Sequence, residues 1–462
     1  MTRRSLQWPD DARVTVAGLA LAALVVMAMV MGSTTLTILT SVIALAGSIV
    51  SPLIGMIVLG FLAPLPRPLV IPTPGLHIAL IGAILLGVVL RLPIERPRLR
   101  GPSSVVLLAI AFLLYASAHF VGGLMDGYPS PRGDEIASLF ANLATGILAF
   151  AIASIVLRDR SPYPVLTALL AAAVLQSALA LSQSMGADVL ARGLFAPSDP
   201  GSRASASFGD PNYFGTYLAA AATLAVACAV IARSAWMKVS LLTLTAFIGL
   251  ALLLSMSRGA ILAMIAGMVT IAFVRSRSAG LVTVAAALLV VTLAYPAFTE
   301  WRFGADVDDA SLGFGAEEDA SGRINSVAAS QELIESSPLF GIGYGRFSEE
   351  ASTGDAAHNW YANVLAEMGM SGGVMWASFI VALLMALRRR PQSARTVGYS
   401  VLAAWMVGSL FLELPMDYQT TGPVLISLGA ACVARWAPRP REDTEAAIRA
   451  PRSRNARAQI AV

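Results

Sequence analysis

The chain has 462 residues, of which 56% are hydrophobic and only 13% charged, with a mean hydropathy of +0.72. A soluble domain carries roughly 25% charge, so this composition excludes an ordinary water-solvated fold. The formal charge of +4 does not point to nucleic acid, because the basic residues stand in short clusters between apolar runs, and the two cysteines, Cys228 and Cys432, exclude a disulfide framework or a thiolate metal site.

At the N-terminus, Arg3, Arg4 and Arg13 precede an apolar run over 14–31. That is the layout of a signal peptide, but because further spans follow it reads as an uncleaved signal anchor. Apolar runs continue at 33–50, 53–63, 76–91, 104–121, 136–157, 163–182, 213–232, 238–255, 259–275, 280–298, 373–388, 396–414 and 422–436. A helix needs about 20 residues to cross about 30 Å of hydrocarbon, so the expected fold is an all-α polytopic integral membrane protein with about 12 to 14 crossings. The run at 53–63 is short, and Ser51-Pro52 interrupts the run before it. The first three elements therefore read equally as half-helices or a re-entrant pair.

Loop charge provides an independent test. Segments 91–100, 158–160, 233–238, 275–277 and 388–395 are short and basic, and they fall at alternate connections. The positive-inside rule puts all of them in the cytoplasm. The tail, with Arg439, Arg441, Arg449, Arg452, Arg454 and Arg457, reads as a disordered cytoplasmic end, so both termini are expected inside. The opposite side receives 122–135, 183–212, 256–258, 299–372 and 416–421. Two of these, 183–212 and 299–372, exceed the length of a plain connection and are where chemistry is to be sought. Five regions result: N-terminal transmembrane helices over 1–182, a transmembrane core with arginine motifs over 183–298, an extracytoplasmic loop over 299–372, C-terminal transmembrane helices over 373–436, and the tail over 437–462.

Within the long loop, the acidic stretch 304–319 reads as solvated and flexible, since the ligand spacing of a calcium loop is absent. Residues 323–335 place Ile324, Val327 and Ile334 on one side of an amphipathic helix that Ser336-Ser337-Pro338 ends.

Arginines recur on the outer side. Ser257-Arg258-Gly259 lies between two apolar runs, Arg203 precedes Phe208-Gly209-Asp210-Pro211-Asn212-Tyr213, and Arg323 and Arg346 belong to the long loop. A lone arginine at a membrane boundary often only snorkels to the interface. Several together suit a pyrophosphate, because each guanidinium is a permanently charged planar fork that pairs bidentately with phosphate oxygens and stabilises a leaving diphosphate. The run Gly341-Ile342-Gly343-Tyr344-Gly345-Arg346-Phe347 reads either as a backbone cradle for phosphate or, more commonly, as a glycine-rich turn. His358, one of 3 histidines, suits a base that takes the proton of an attacking hydroxyl, with a structural helix cap as the alternative. His77 and His119, near span ends, are expected to make ordinary hydrogen bonds. Asn359 and Asn363 fall four apart on a short helix, where they order the site or hold a sugar.

In this order, the motifs resemble the superfamily of O-antigen ligases and O-antigen polymerases. The resemblance rests on Arg203 with the Gly-Asp-Pro-Asn-Tyr-Phe element at 209–214, on Ser257-Arg258-Gly259, on Arg323 heading a helix, and on the glycine run from Pro338 to Phe347. His358-Asn359 and Glu367-Met368-Gly369 complete it. It implies a metal-independent inverting glycosyltransferase resembling the GT-C-type membrane enzymes, with no cofactor. A glycan on undecaprenyl pyrophosphate would be the donor, and a glycan, lipid, wall polymer or protein the acceptor, at the outer face of a bacterial cytoplasmic (inner) membrane. By carry-over, His358 and Arg258 are catalytic and Arg203, Arg258, Arg323 and Arg346 hold the donor pyrophosphate. Asn212, Asn359, Tyr361 and Glu367 contact the acceptor or order the site. The family element usually reads Asn-Pro-Asn where this chain has Asp210-Pro211-Asn212, a mild departure. The competing expectation is a transporter or flippase of lipid-linked sugars, against which stand the absence of an internal repeat and the clustering of charge on one face.

Overall fold

The computed structural model describes residues 8–65, 75–95, 104–125, 133–186, 203–303, 325–351 and 357–436. They are helical throughout, with no strand among them. In chain order the helices are α1 (Trp8–Val30), α2 (Thr34–Val50), α3 (Pro52–Leu62), α4 (Gly75–Glu95), α5 (Ser104–Met125), α6 (Gly133–Val156), α7 (Tyr163–Ser184) and α8 (Pro211–Ile231). Next come α9 (Ala235–Leu254), α10 (Arg258–Arg275), α11 (Arg277–Phe303), α12 (325–336), α13 (Phe347–Glu350), α14 (Trp360–Arg388), α15 (Gln392–Gly408) and α16 (Tyr418–Val433), with a 3-10 turn at Leu414–Met416.

Each apolar run of the sequence is occupied by one of these helices. Among the described residues, eight (α1, α5 to α10 and α14) are long and apolar enough to cross a membrane. The break expected at Ser51-Pro52 is present. Ser51 is extended (φ −142°, ψ 99°), its hydroxyl accepts from Ile54 N at 3.4 Å, and Pro52 starts α3. At 11 residues α3 is only about 16 Å long, about half the hydrocarbon thickness. It is enclosed along almost its whole length, as an apolar helix inside a bundle must be.

Basic connections collect at one end of the bundle. Arg435 N donates to Arg160 O at 2.7 Å, Arg390 reaches Ala434 O, Gln392 Nε2 donates to Val274 O at 3.3 Å, and Arg91 bonds Val50 O. At the opposite end Gln176 and Gln419 both donate to Pro64 O, Thr420 Oγ1 donates to Tyr213 O at 3.3 Å, and Trp360 N donates to Ser409 O at 2.9 Å. Side-chain charge therefore alternates along the chain in step with the direction of the helices, the pattern of a multi-pass membrane protein.

Small residues set the helix spacing around α8, the most enclosed of the long helices. A Cβ on Gly215 would lie 2.5 Å from Ser255 Oγ and 3.0 Å from Ala260 Cβ, and one on Gly267 would lie 2.4 Å from Thr223 Oγ1. Backbones approach this closely in membranes because packing, and not exclusion from water, drives association there. The start of α8 is thereby pressed against the turn between α9 and α10.

Candidate functional site

That turn carries the first arginine. Met256 adopts a left-handed conformation (φ 49°), and Ser257 caps α10, its hydroxyl accepting from Ala260 N at 3.4 Å. Arg258 is consequently the first residue of an 18-residue helix, where the unsatisfied amides and the macrodipole favour an anion. Gly259 has a packing reason: a Cβ there would lie 3.0 Å from Phe411 Cγ. Its absence lets the 409–413 segment lie against the turn.

Asp210 and Pro211 build the facing wall. The Asp210 carboxylate caps α8 by accepting from Asn212 N at 2.6 Å and Tyr213 N at 3.3 Å, and Pro211 fills the first helical position, where no N–H is needed. Asparagine caps equally well, which explains why the aspartate is a mild departure. Asn212 and Arg258 then line one narrow crevice, closed by Ser257, Phe411 and Leu412. Arg203 is anchored to both walls, with Nε donating to Ser255 O at 2.9 Å and Nη2 to Asn212 Oδ1 at 2.6 Å. The two arginines thus share one asparagine.

His358 belongs to the same end and reaches the same segment. Its N–H donates to Glu413 Oε1 at 2.9 Å, and Glu413 follows directly on the Phe411 and Leu412 that line the arginine cavity. The residue is left-handed (φ 50°) with an exposed side chain. Asn359, not His358, caps α14, its Oδ1 accepting from Tyr361 N at 2.9 Å and Ala362 N at 3.2 Å. The capping alternative for the histidine is therefore removed. Left-handed non-glycine residues carry strain that tends to gather at functional sites. Among the described residues there are four, and three of them, Ala206, Met256 and His358, lie at this end.

Glu413 is the residue sequence reasoning missed. Burial pushes its carboxyl above the ordinary carboxylate range, while the neighbouring His358 and the amides of His358 and Ala357 pull it back. Asp210, Glu413 and Asp417 all stand around the Tyr213 ring. The available signal was an acid, Glu413, at the end of the apolar run 396–414, with Asp417 in the connection after it; nothing local ties Glu413 to a histidine 55 positions earlier.

The glycine run has the turn meaning. Ile342 N donates to Ala366 O at 2.9 Å, Gly343 N to Glu367 O at 3.0 Å, and Phe347 N to Glu367 Oε1 at 3.2 Å. These amides are bound to α14 and cradle no phosphate. The fit is reciprocal: a Cβ on Gly341 would lie 2.3 Å from Glu367 C, and one on Gly369 would lie 2.4 Å from Leu339 C, both glycines having positive φ. Gly369 also breaks α14 into a short first part and the long apolar part. Glu367 is buried and holds this strap in place. Tyr361 OH donates to Met406 O at 3.0 Å, which joins α14 to α15.

Arg346 does not line the crevice of Arg258. It pairs with Glu350 at 2.9 Å and lines a separate cleft with Tyr115 and His119 of α5. Arg323 and the acidic stretch 304–319 fall outside the described residues. His77 makes the ordinary hydrogen bond expected of it, to Leu62 O at 3.1 Å.

A family model described as O-antigen ligase matches residues 241–377. Over that stretch the chain is similar to the O-antigen ligases, which supports a place in the O-antigen ligase and polymerase superfamily. The matched stretch contains Ser257-Arg258-Gly259, the glycine run, His358 and Gly369, whereas Arg203, Asn212 and Glu413 lie outside it. The O-antigen ligase family implies an enzyme that transfers glycans from lipid-linked donors to acceptors at a membrane. No curated protein matches the chain.

Proposed function

We propose that this protein transfers a glycan from an undecaprenyl-pyrophosphate-linked donor to an extracytoplasmic acceptor, as an O-antigen ligase-like or polysaccharide polymerase-like enzyme of the GT-C type in a bacterial inner membrane. The observation that carries the reading is the attachment of Arg203 and Arg258 to one asparagine-walled cavity whose remaining wall, the 409–413 segment, also holds His358. The motif end faces outward, since the basic connections gather at the other end. With the short helices counted, the chain makes about 12 to 14 crossings.

In the proposed step, the donor diphosphate occupies the Arg258 cavity and its polyprenyl tail lies in the outer leaflet. An acceptor hydroxyl attacks the anomeric carbon from the face opposite the leaving group, and the configuration inverts. The hydroxyl proton passes to the His358 imidazole, and the broken C–O bond leaves its electron pair on the diphosphate. Arg258 and Arg203 meet that charge, with no metal in the step. Glu413, by accepting the His358 N–H, fixes the left-handed backbone that presents the imidazole. Asn212 orders the arginines, Asn359 orders the start of α14, and Arg323 is a further donor contact.

The test uses full-length protein in nanodiscs with lipid-linked donor. Arg258→Ala and His358→Ala should each slow transfer by about 100-fold or more while leaving the protein folded. In cells both should accumulate unprocessed donor. Wild-type turnover by both variants would overturn the assignment.

A further inference from the structure

The cleft beside Arg346 has no part in the step above, and its chemistry differs from that of the Arg258 cavity. It is much the larger of the two, with a volume of about 340 Å³, within the range of small-molecule sites. We infer that it binds a hydroxyl-rich, uncharged sugar of the acceptor glycan, an inference that rests on the glycan-transfer reading.

Three observations carry it. Charge comes first: Arg346 is matched by Glu350 at 2.9 Å, and among the described residues no second Lys or Arg lines the cleft, so they offer a diphosphate no surplus positive charge there. A guanidinium beside a carboxylate instead offers planar donors and acceptor oxygens side by side, and a sugar hydroxyl is both donor and acceptor. Second, one wall is aromatic. The rings of Tyr115 and His119 lie 4.6 Å apart, giving an apolar surface for the C–H face of a pyranose beside a few polar groups. Third, the walls are stripped of side chains. Gly122 has nothing within 4 Å of where its Cβ would stand, and the Arg346 stem lies along Gly343, 3.1 Å from that residue's Cβ position.

The cleft is also tied to the proposed base. Its glycine wall is bonded to Ala366 and Glu367 of α14, and His358 stands two residues before that helix begins. A sugar seated in the cleft and a hydroxyl delivered to His358 therefore share one framework.

The test is hydrogen exchange on full-length protein in nanodiscs, comparing wild type, Gly122→Leu and Arg346→Met. Two probes are used: inorganic pyrophosphate, and the neutral oligosaccharide pool released by mild acid from the producing cell's envelope. The pool, at ten times its Kd, should slow exchange across 341–346 by about 10-fold in wild type. Gly122→Leu, which fills the open space, and Arg346→Met, which removes the polar pair, should abolish that protection; pyrophosphate should leave 341–346 unchanged. Absent protection in wild type, equal protection in both variants, or protection of 341–346 by pyrophosphate would overturn the inference. Failure of pyrophosphate to protect 255–260 would count against the donor site alone and leave the result at 341–346 standing.

Discussion

Two arginines in one family pattern end in opposite electrical surroundings. Arg258 opens a long helix and lines a crevice with Asn212, which also holds Arg203, whereas Arg346 sits over a short turn with a glutamate as its partner. Residue type and order suggested one role for both. Only the surroundings separate them: Arg258 stands at a helix N-terminus in the crevice lined by Asn212, and Arg346 is ion-paired with Glu350.

Several substitutions break or sharpen that contrast. The largest effect is the loss of about 100-fold or more in transfer expected for Arg258→Ala, read as single-turnover rate with lipid-linked donor. Arg346→Met should alter acceptor dependence while leaving the donor step intact.

Next in size is Gly341→Ala. It would force a Cβ to 2.3 Å from the Glu367 backbone at a positive φ, so the strap that forms the sugar cleft should lose about 2 to 3 kcal/mol. Hydrogen exchange at 341–347 should speed accordingly, and the 255–260 turn should not respond.

Asn359→Ala removes the cap of α14 and should lower stability by about 1 kcal/mol in thermal unfolding, with a smaller effect on pyrophosphate binding than on transfer.

A pH test singles out Glu413. Its folded-state carboxyl lies above the ordinary value, so in the window between the two the native chain holds more proton than the unfolded one. Stability should fall as pH rises through that window, and Glu413→Gln should flatten the slope. An unchanged slope would show that the buried carboxyl near His358 is not the titrating group. Smallest of all, Asp210→Asn should change unfolding by no more than about 0.5 kcal/mol, because either residue caps α8.

Much of this was legible in the chain before folding. Alternation of basic connections marks the two ends, Ser51-Pro52 marks the start of α3, and Asp210-Pro211 announces the start of α8, because each signal is local. Ser257-Arg258-Gly259 stood out as a motif, although the reason for its glycine, the approach of Phe411, comes from a segment more than 150 residues away. What was not legible depends on such distant pairings. The glycine run offers the same amides to a phosphate or to α14, and only the fold chooses α14. Asn359 and Glu367 had been expected in the site; the cap and the strap engage the side-chain oxygens Asn359 Oδ1 and Glu367 Oε1. Glu413 went unremarked because its partner is 55 positions away.

The most direct measurement is a cryo-EM map of the full-length protein in nanodiscs loaded with undecaprenyl pyrophosphate. The diphosphate should lie against Arg258 and Asn212, on the side of the 409–413 segment that carries His358. Density for it beside Arg346 and His119, with the Arg258 cavity closed, would contradict the account.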